Sequence, residues 1–192
     1  MARRICPRCG SRNTAQILWG MPAFSEALEE KLKNKEIVLG GCCVSDNDPS
    51  YHCNTCKKDF GRSTSLQEIS TKLIHFGLGG YFGGYHDVTV SKTASGALIE
   101  YKPPIGAEDV TPIEKDLSFD EWMSFVSDLF RCYITDWKNR YVDPGILDGT
   151  QWELEIIFDD KSVLKRHGSN AYPQHWKKLL SVFKKHISSE IK

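Results

Sequence analysis

Four cysteines carry the clearest chemistry in the chain: Cys6-Pro7-Arg8-Cys9 near the start and Cys53-Asn54-Thr55-Cys56 downstream. In a Cys-x-x-Cys pair, a tight turn points backbone N–H groups at both sulfurs, and two such turns close a tetrahedral thiolate cage. The two pairs read as the ligand set of a zinc ribbon. Pro7 presets one dihedral of the first turn, and Gly10 suits the left-handed residue that ends it. Four protein thiolates leave no coordination position open to water, so the expected ion, Zn2+, is structural. Four thiolates also suit iron, and availability favours zinc. Cys42 and Cys43 belong to neither turn and are expected as small buried residues near the metal, with replacement of one ligand as the alternative. His52 is expected beside the metal or at the surface. Asp46 and Asp48 lack the glycine and distal glutamate of a calcium loop and read as turn formers.

A second constellation lies further on. Asp87 starts one strand and Glu100-Tyr101-Lys102 ends the next. Pairing residue 92 with 97 sets Asp87 opposite Lys102 and Glu100 opposite Thr89, and the two-residue period puts Asp87, Glu100 and Lys102 on one face. Two carboxylates to hold Mg2+ beside a lysine to steady a water suit metal-dependent phosphodiester hydrolysis. The order helix, three strands, helix, strand over residues 63–158 resembles the PD-(D/E)xK nuclease core, although His86 stands where that pattern has proline. The alternative is a cross-strand Asp–Lys pair on a wet sheet face. The run Gly77-Leu78-Gly79-Gly80-Tyr81-Phe82-Gly83-Gly84-Tyr85 lacks Gly-Lys-Ser/Thr and leads into a strand, which excludes a phosphate loop. It reads as a hairpin connection with its aromatics packed inward, or as a stacking surface for bases.

These residues need elements to position them. Between the cysteine pairs lie 43 residues. They divide into a strand over 13–19, a helix over 22–32 with Phe24, Ala27, Leu28 and Leu32 on one face, and a strand over 36–39. A helix from about 63 to 71 and a strand over 72–77 follow. Strands over 86–91 and 96–102 form a hairpin, and a polar stretch leads to a capping box at Ser118 and Glu121. The next helix runs from there to about Arg140. Residues 150–158 alternate as a strand, turn at Asp159-Asp160 into a strand over 162–167, and lead to a last helix. In that helix Trp176, Leu179, Leu180, Phe183 and Ile187 form the apolar stripe opposite Lys177, Lys178, Lys184 and Lys185. Hairpin then helix thus occurs twice, which predicts a sheet with helices on one face. The fold expected is α+β: a zinc ribbon with a helical insertion over 1–62, then an α+β domain of two hairpin-plus-helix units over 63–192.

The formal net charge is zero but unevenly spread. Residues 73–160 hold 6 Lys/Arg against 16 Asp/Glu, whereas residues 161–192 hold 8 against 1. The basic tail is a phosphate-binding face or an electrostatic partner of the acidic middle. No run is long and apolar enough to span a membrane, no apolar leader begins the chain, and the cysteines fit metal binding better than disulfides, so a cytoplasmic location is expected. The segments Cys6-Pro-Arg-Cys9-Gly10, Pro22-Ala23-Phe24, Gly40-Gly41-Cys42, His52-Cys53-x-x-Cys56, Gly80-Tyr81-Phe82-Gly83-Gly84 and Gly168-Ser-Asn-Ala-Tyr-Pro173 resemble a group of uncharacterised bacterial proteins with an N-terminal zinc ribbon. That resemblance implies the ribbon and a bacterial cytosolic origin, with no activity attached. The functional expectation is a binding or adaptor protein whose ribbon meets a protein or nucleic-acid partner through Arg3, Arg4, Arg8 and Arg12, and through Lys177, Lys178, Lys184 and Lys185. The enzymatic alternative is the nuclease built on Asp87, Glu100 and Lys102.

Overall fold

A computed structural model describes residues 4–80, 82–106, 111–146 and 148–187. The chain is mixed α and β and divides into two compact units, Met1–Thr64 and Ser65–Lys192.

In the first unit, β1 (Thr14–Leu18) is followed by α1 (Glu26–Lys33), β2 (Ile37–Leu39), β3 (Tyr51–Cys53) and β4 (Asp59–Phe60). They form one sheet in the order β2-β1-β3-β4, with β2 parallel to β1 and the other neighbours antiparallel. Ser25 starts α1 by accepting a hydrogen bond from the Leu28 N–H, the usual task of an N-cap serine. Of the expected apolar face only Leu28 is buried, while Phe24 and Ala27 are exposed. The short helix covers little because Ala15, Ile17 and Phe60 already make a small core, with Phe60 stacked on Tyr51. Trp19 sets the path of the following loop. Its indole N–H donates to the Pro49 carbonyl, and a Cβ on Gly40 would lie 2.5 Å from its ring. Cys42 and Cys43 are exposed on that loop, contrary to the burial expected for them. Asp48 closes its far end by accepting from the Ser45 N–H and hydroxyl.

The second unit opens with α2 (Ser65–Ser70) and a meander of four strands. These are β5 (Thr71–Gly80), β6 (Gly84–Lys92), β7 (Gly96–Lys102) and β8 (Ile113–Ser118). Then come α3 (Phe119–Phe130), β9 (Arg140–Val142), β10 (Gln151–Phe158), β11 (Val163–Ser169) and α4 (Trp176–Ile187). Seven strands make one sheet in the order β8-β7-β6-β5-β10-β11-β9, and among them only the β11–β9 pair is parallel. One sheet face supplies Phe76, Val88, Ile99, Leu154 and Ile156 to a core closed by Trp122, Phe125 and Leu129 of α3 and by Leu179 and Phe183 of α4. The alternation of β10 is complete, every second residue being buried. Leu180 and Trp176 are only partly buried, and Val182 enters the core in their place.

Four expectations are corrected here. The strand placed at 72–77 runs on through the glycines to Gly80, pairing Gly80 with Gly84, so the turn is tight. Its aromatics do not pack inward: Phe82 is 89% and Tyr85 50% exposed, and Tyr81 lies outside the described residues. The polar stretch before Ser118 contains an edge strand, β8, which makes the first repeat unit a four-stranded meander instead of a hairpin. The α3 helix stops at Phe130, ten residues before the expected Arg140, because Arg166 captures the segment that follows. The Arg166 guanidinium, 8% exposed, donates to the carbonyls of Ile134 and Thr135 and to the Asn139 side chain, and β9 then joins the sheet edge. Among the described residues no helix is long and apolar enough to cross a membrane.

Candidate metal centre

Each knuckle is built the same way. In the first, the Gly10 N–H donates to the Cys6 carbonyl at 2.9 Å and Gly10 takes a φ of 73°. In the second, the Lys57 N–H donates to the Cys53 carbonyl at 2.8 Å and Lys57 takes a φ of 57°. The knuckles are also tied to each other. The Ser11 and Thr55 hydroxyls lie 2.8 Å apart in a hydrogen bond, and the Asn54 amide donates to the Asn13 side chain and the Lys35 carbonyl. In the sheet, Thr14 pairs with Cys53, so β1 and β3 hold one cysteine pair against the other.

The four sulfurs converge. Cys6 Sγ is 3.7 Å from Cys56 Sγ and Cys9 Sγ is 3.6 Å from Cys53 Sγ, and all four lie within 4.8 Å of one another. These gaps are far beyond a disulfide bond of about 2 Å. An ion with metal–sulfur bonds of about 2.3 Å sits in a tetrahedron whose edges are about 3.8 Å. The quartet therefore has the dimensions to hold a metal ion. Its protonation is uneven. Burial pushes the Cys6 thiol up to about 12. Burial acts on Cys53 too, but N–H groups of Cys56 and Thr55 aimed at its sulfur outweigh it and bring the thiol down to about 7. A cation at the centre stabilises the thiolate form of all four. Cys42, Cys43 and His52 are outside the quartet, and His52 Nδ1 shares a 2.6 Å hydrogen bond with Asp59. Cys132 is fully buried, its thiol pushed by burial up to about 12.

The register of β6 and β7 is the expected one: Asp87 pairs with Lys102 and Thr89 with Glu100. All three candidates, Asp87, Glu100 and Lys102, lie on the face opposite α3 and α4. Asp87, however, is engaged by His75, whose Nε2 lies 2.7 Å from its carboxylate. The His75 Nδ1 in turn faces Glu153 at 3.8 Å, and Lys165 bridges Glu153 and Glu155. This strip of ion pairs escapes a reading confined to one hairpin. Its signal in the sequence is the two-residue period that brings His75, Glu153, Glu155 and Lys165 to one face. Among the described residues, the cysteine quartet is the one group of three or more His, Cys, Asp or Glu side chains that converges closely enough for a metal.

The cationic candidates are distributed over both units. Arg4 is exposed with its guanidinium 6.0 Å from the Tyr51 ring centre, and Arg12 is exposed. Arg8 is half-buried, its Nε enclosed without a hydrogen-bond partner, and so is a poor surface contact. Arg3 lies outside the described residues. On α4, Lys177, Lys178, Lys184 and Lys185 are exposed, and Lys178 donates to the Arg131 carbonyl. No protein-family model matches the chain, and no curated protein matches it.

Proposed function

We propose that the chain is a non-enzymatic binding or adaptor protein whose first unit is a zinc ribbon carrying α1 and β2 between its knuckles. The observation behind this reading is the approach of four sulfurs from two tied knuckles, which fills every position of a tetrahedral ion with protein. Such an ion has no place for substrate or water. It folds the unit and fixes its surface, and zinc is the ion of choice on availability. A reducing cytoplasm keeps the thiolates free for it. The rigid unit then offers exposed Arg4 and Arg12, with Met21, Phe24 and Val44 also exposed, to a protein or nucleic-acid partner. Aromatic and methionine side chains with arginines are the composition that interfaces favour.

The test uses the full chain as isolated. Metal analysis should return one zinc per chain, and the Arg4→Ala/Arg12→Ala variant should keep that zinc while recovering about fivefold less partner from a cell lysate, the scale of losing one contact of about 1 kcal/mol. Undiminished recovery by the zinc-loaded variant would sink the reading.

A further inference from the structure

The β5–β6 hairpin ends in a cleft of about 320 Å3, lined by Phe82, His86, Asp148, Thr150 and glycines from both sides of the turn. Its floor is backbone against backbone. A Cβ on Gly80 would lie 2.7 Å from the Gly149 carbonyl oxygen, so only glycine lets the hairpin meet the turn before β10 this closely. At the rim Phe82 is 89% exposed, whereas the aromatic rings of Phe76, Trp122 and Phe125 are in the core. Among the described residues the lining holds one carboxylate and neither lysine nor arginine. His86 shares a 2.8 Å hydrogen bond with the Tyr101 hydroxyl, and burial lowers its pKa, so its ring is uncharged at neutral pH. The surrounding stretch, residues 73–160, carries 16 acidic against 6 basic side chains.

We infer that this cleft takes an arginine side chain from a protein partner. A guanidinium is flat, positive and rich in N–H donors. It can stack on the Phe82 ring while its forked N–H groups meet the Asp148 carboxylate. A phosphate-bearing ligand would meet the Asp148 carboxylate and, in the lining, no lysine or arginine to offset it. The inference rests on the adaptor reading and narrows its partner to a basic protein segment.

The zinc-loaded full chain, labelled with 15N, is titrated with acetyl-Gly-Gly-Arg-Gly-Gly-amide and with the same peptide carrying neutral citrulline for arginine. The arginine peptide should shift the amide signals of Gly79, Gly80, Gly84 and Gly149. Phe82→Ala and Asp148→Asn should each weaken it about fivefold, and citrulline should do so about tenfold, as loss of a stacked or charge-assisted contact requires. Equal binding of the citrulline peptide, silence at these amides, or stronger shifts with uridine or cytidine would overturn the arginine site. Those results would leave the adaptor reading standing as long as the Arg4/Arg12 variant loses its partner, so the two fail separately.

Discussion

Gly10 and Lys57 occupy the same place in the two knuckles, and both take a left-handed conformation that only glycine adopts without cost. Thiolate chemistry thus dictates the backbone, and it does so even where the residue type resists. That is why the quartet was legible from spacing alone: ligand type, ligand number and turn geometry leave little freedom. The fate of Cys42 and Cys43 was not legible, because it depends on Gly40 lying under Trp19 and on the Trp19–Pro49 hydrogen bond, both long-range facts. The difference can be measured. If the quartet holds zinc as proposed, Cys9→Ser should keep less than about a tenth of the zinc found in the unaltered protein after gel filtration, because one thiolate of four carries a large part of a binding energy of about 10 kcal/mol. Cys42→Ser/Cys43→Ser should retain one zinc per chain. Loss of metal from the double variant would put a loop thiol in the site.

At the scale of elements, local rules succeeded where one segment decides its own fate. The β6–β7 register follows from the short turn at Lys92 to Gly96, and the alternation of β10 follows from burial on one face. The start of α3 is equally local. The Ser118 hydroxyl accepts from the Glu121 N–H, and the Glu121 carboxylate accepts from the Ser118 N–H, which holds that acid below its ordinary pKa. Ser118→Ala should therefore destabilise the second unit by about 1 kcal/mol in urea unfolding, and the slope of the transition should not change. A cost near zero would mean that packing alone sets the start of this helix. The far end of α3 obeys no local rule. Its apolar pattern continues through Trp137, but Arg166, 32 residues beyond Ile134, takes the carbonyls that a longer helix would have used. Edge strands β8 and β9 are hidden in the sequence for a related reason. Their residues face solvent on one side, so charge hides the alternation, as in β8 with Glu114, Lys115 and Asp116 in sequence.

The whole molecule has two sources of stability. The second unit has a core of two helices on a seven-stranded sheet. The first has a four-stranded sheet, few buried side chains and the thiolate quartet, so an ion held there would supply most of its folding free energy. Calorimetry at pH about 7.5 should accordingly resolve a transition that a chelator abolishes and another that it leaves in place. Acid acts differently. Burial lowers the pKa values of His86, His175 and His186, so below the unfolded value of about 6.5 the unfolded chain binds more protons than the folded one. Their effect is absent above that value and grows as pH falls toward the folded values. The chelator-resistant transition should hence move to lower temperature between pH about 7 and 5, and the sign follows from this difference in proton uptake. Acid also protonates the thiolates and would release an ion bound by them, so the first transition should fall with it. One cooperative transition, shifted alike by chelator and by acid, would show instead that the quartet supports the whole chain and that the units do not unfold separately.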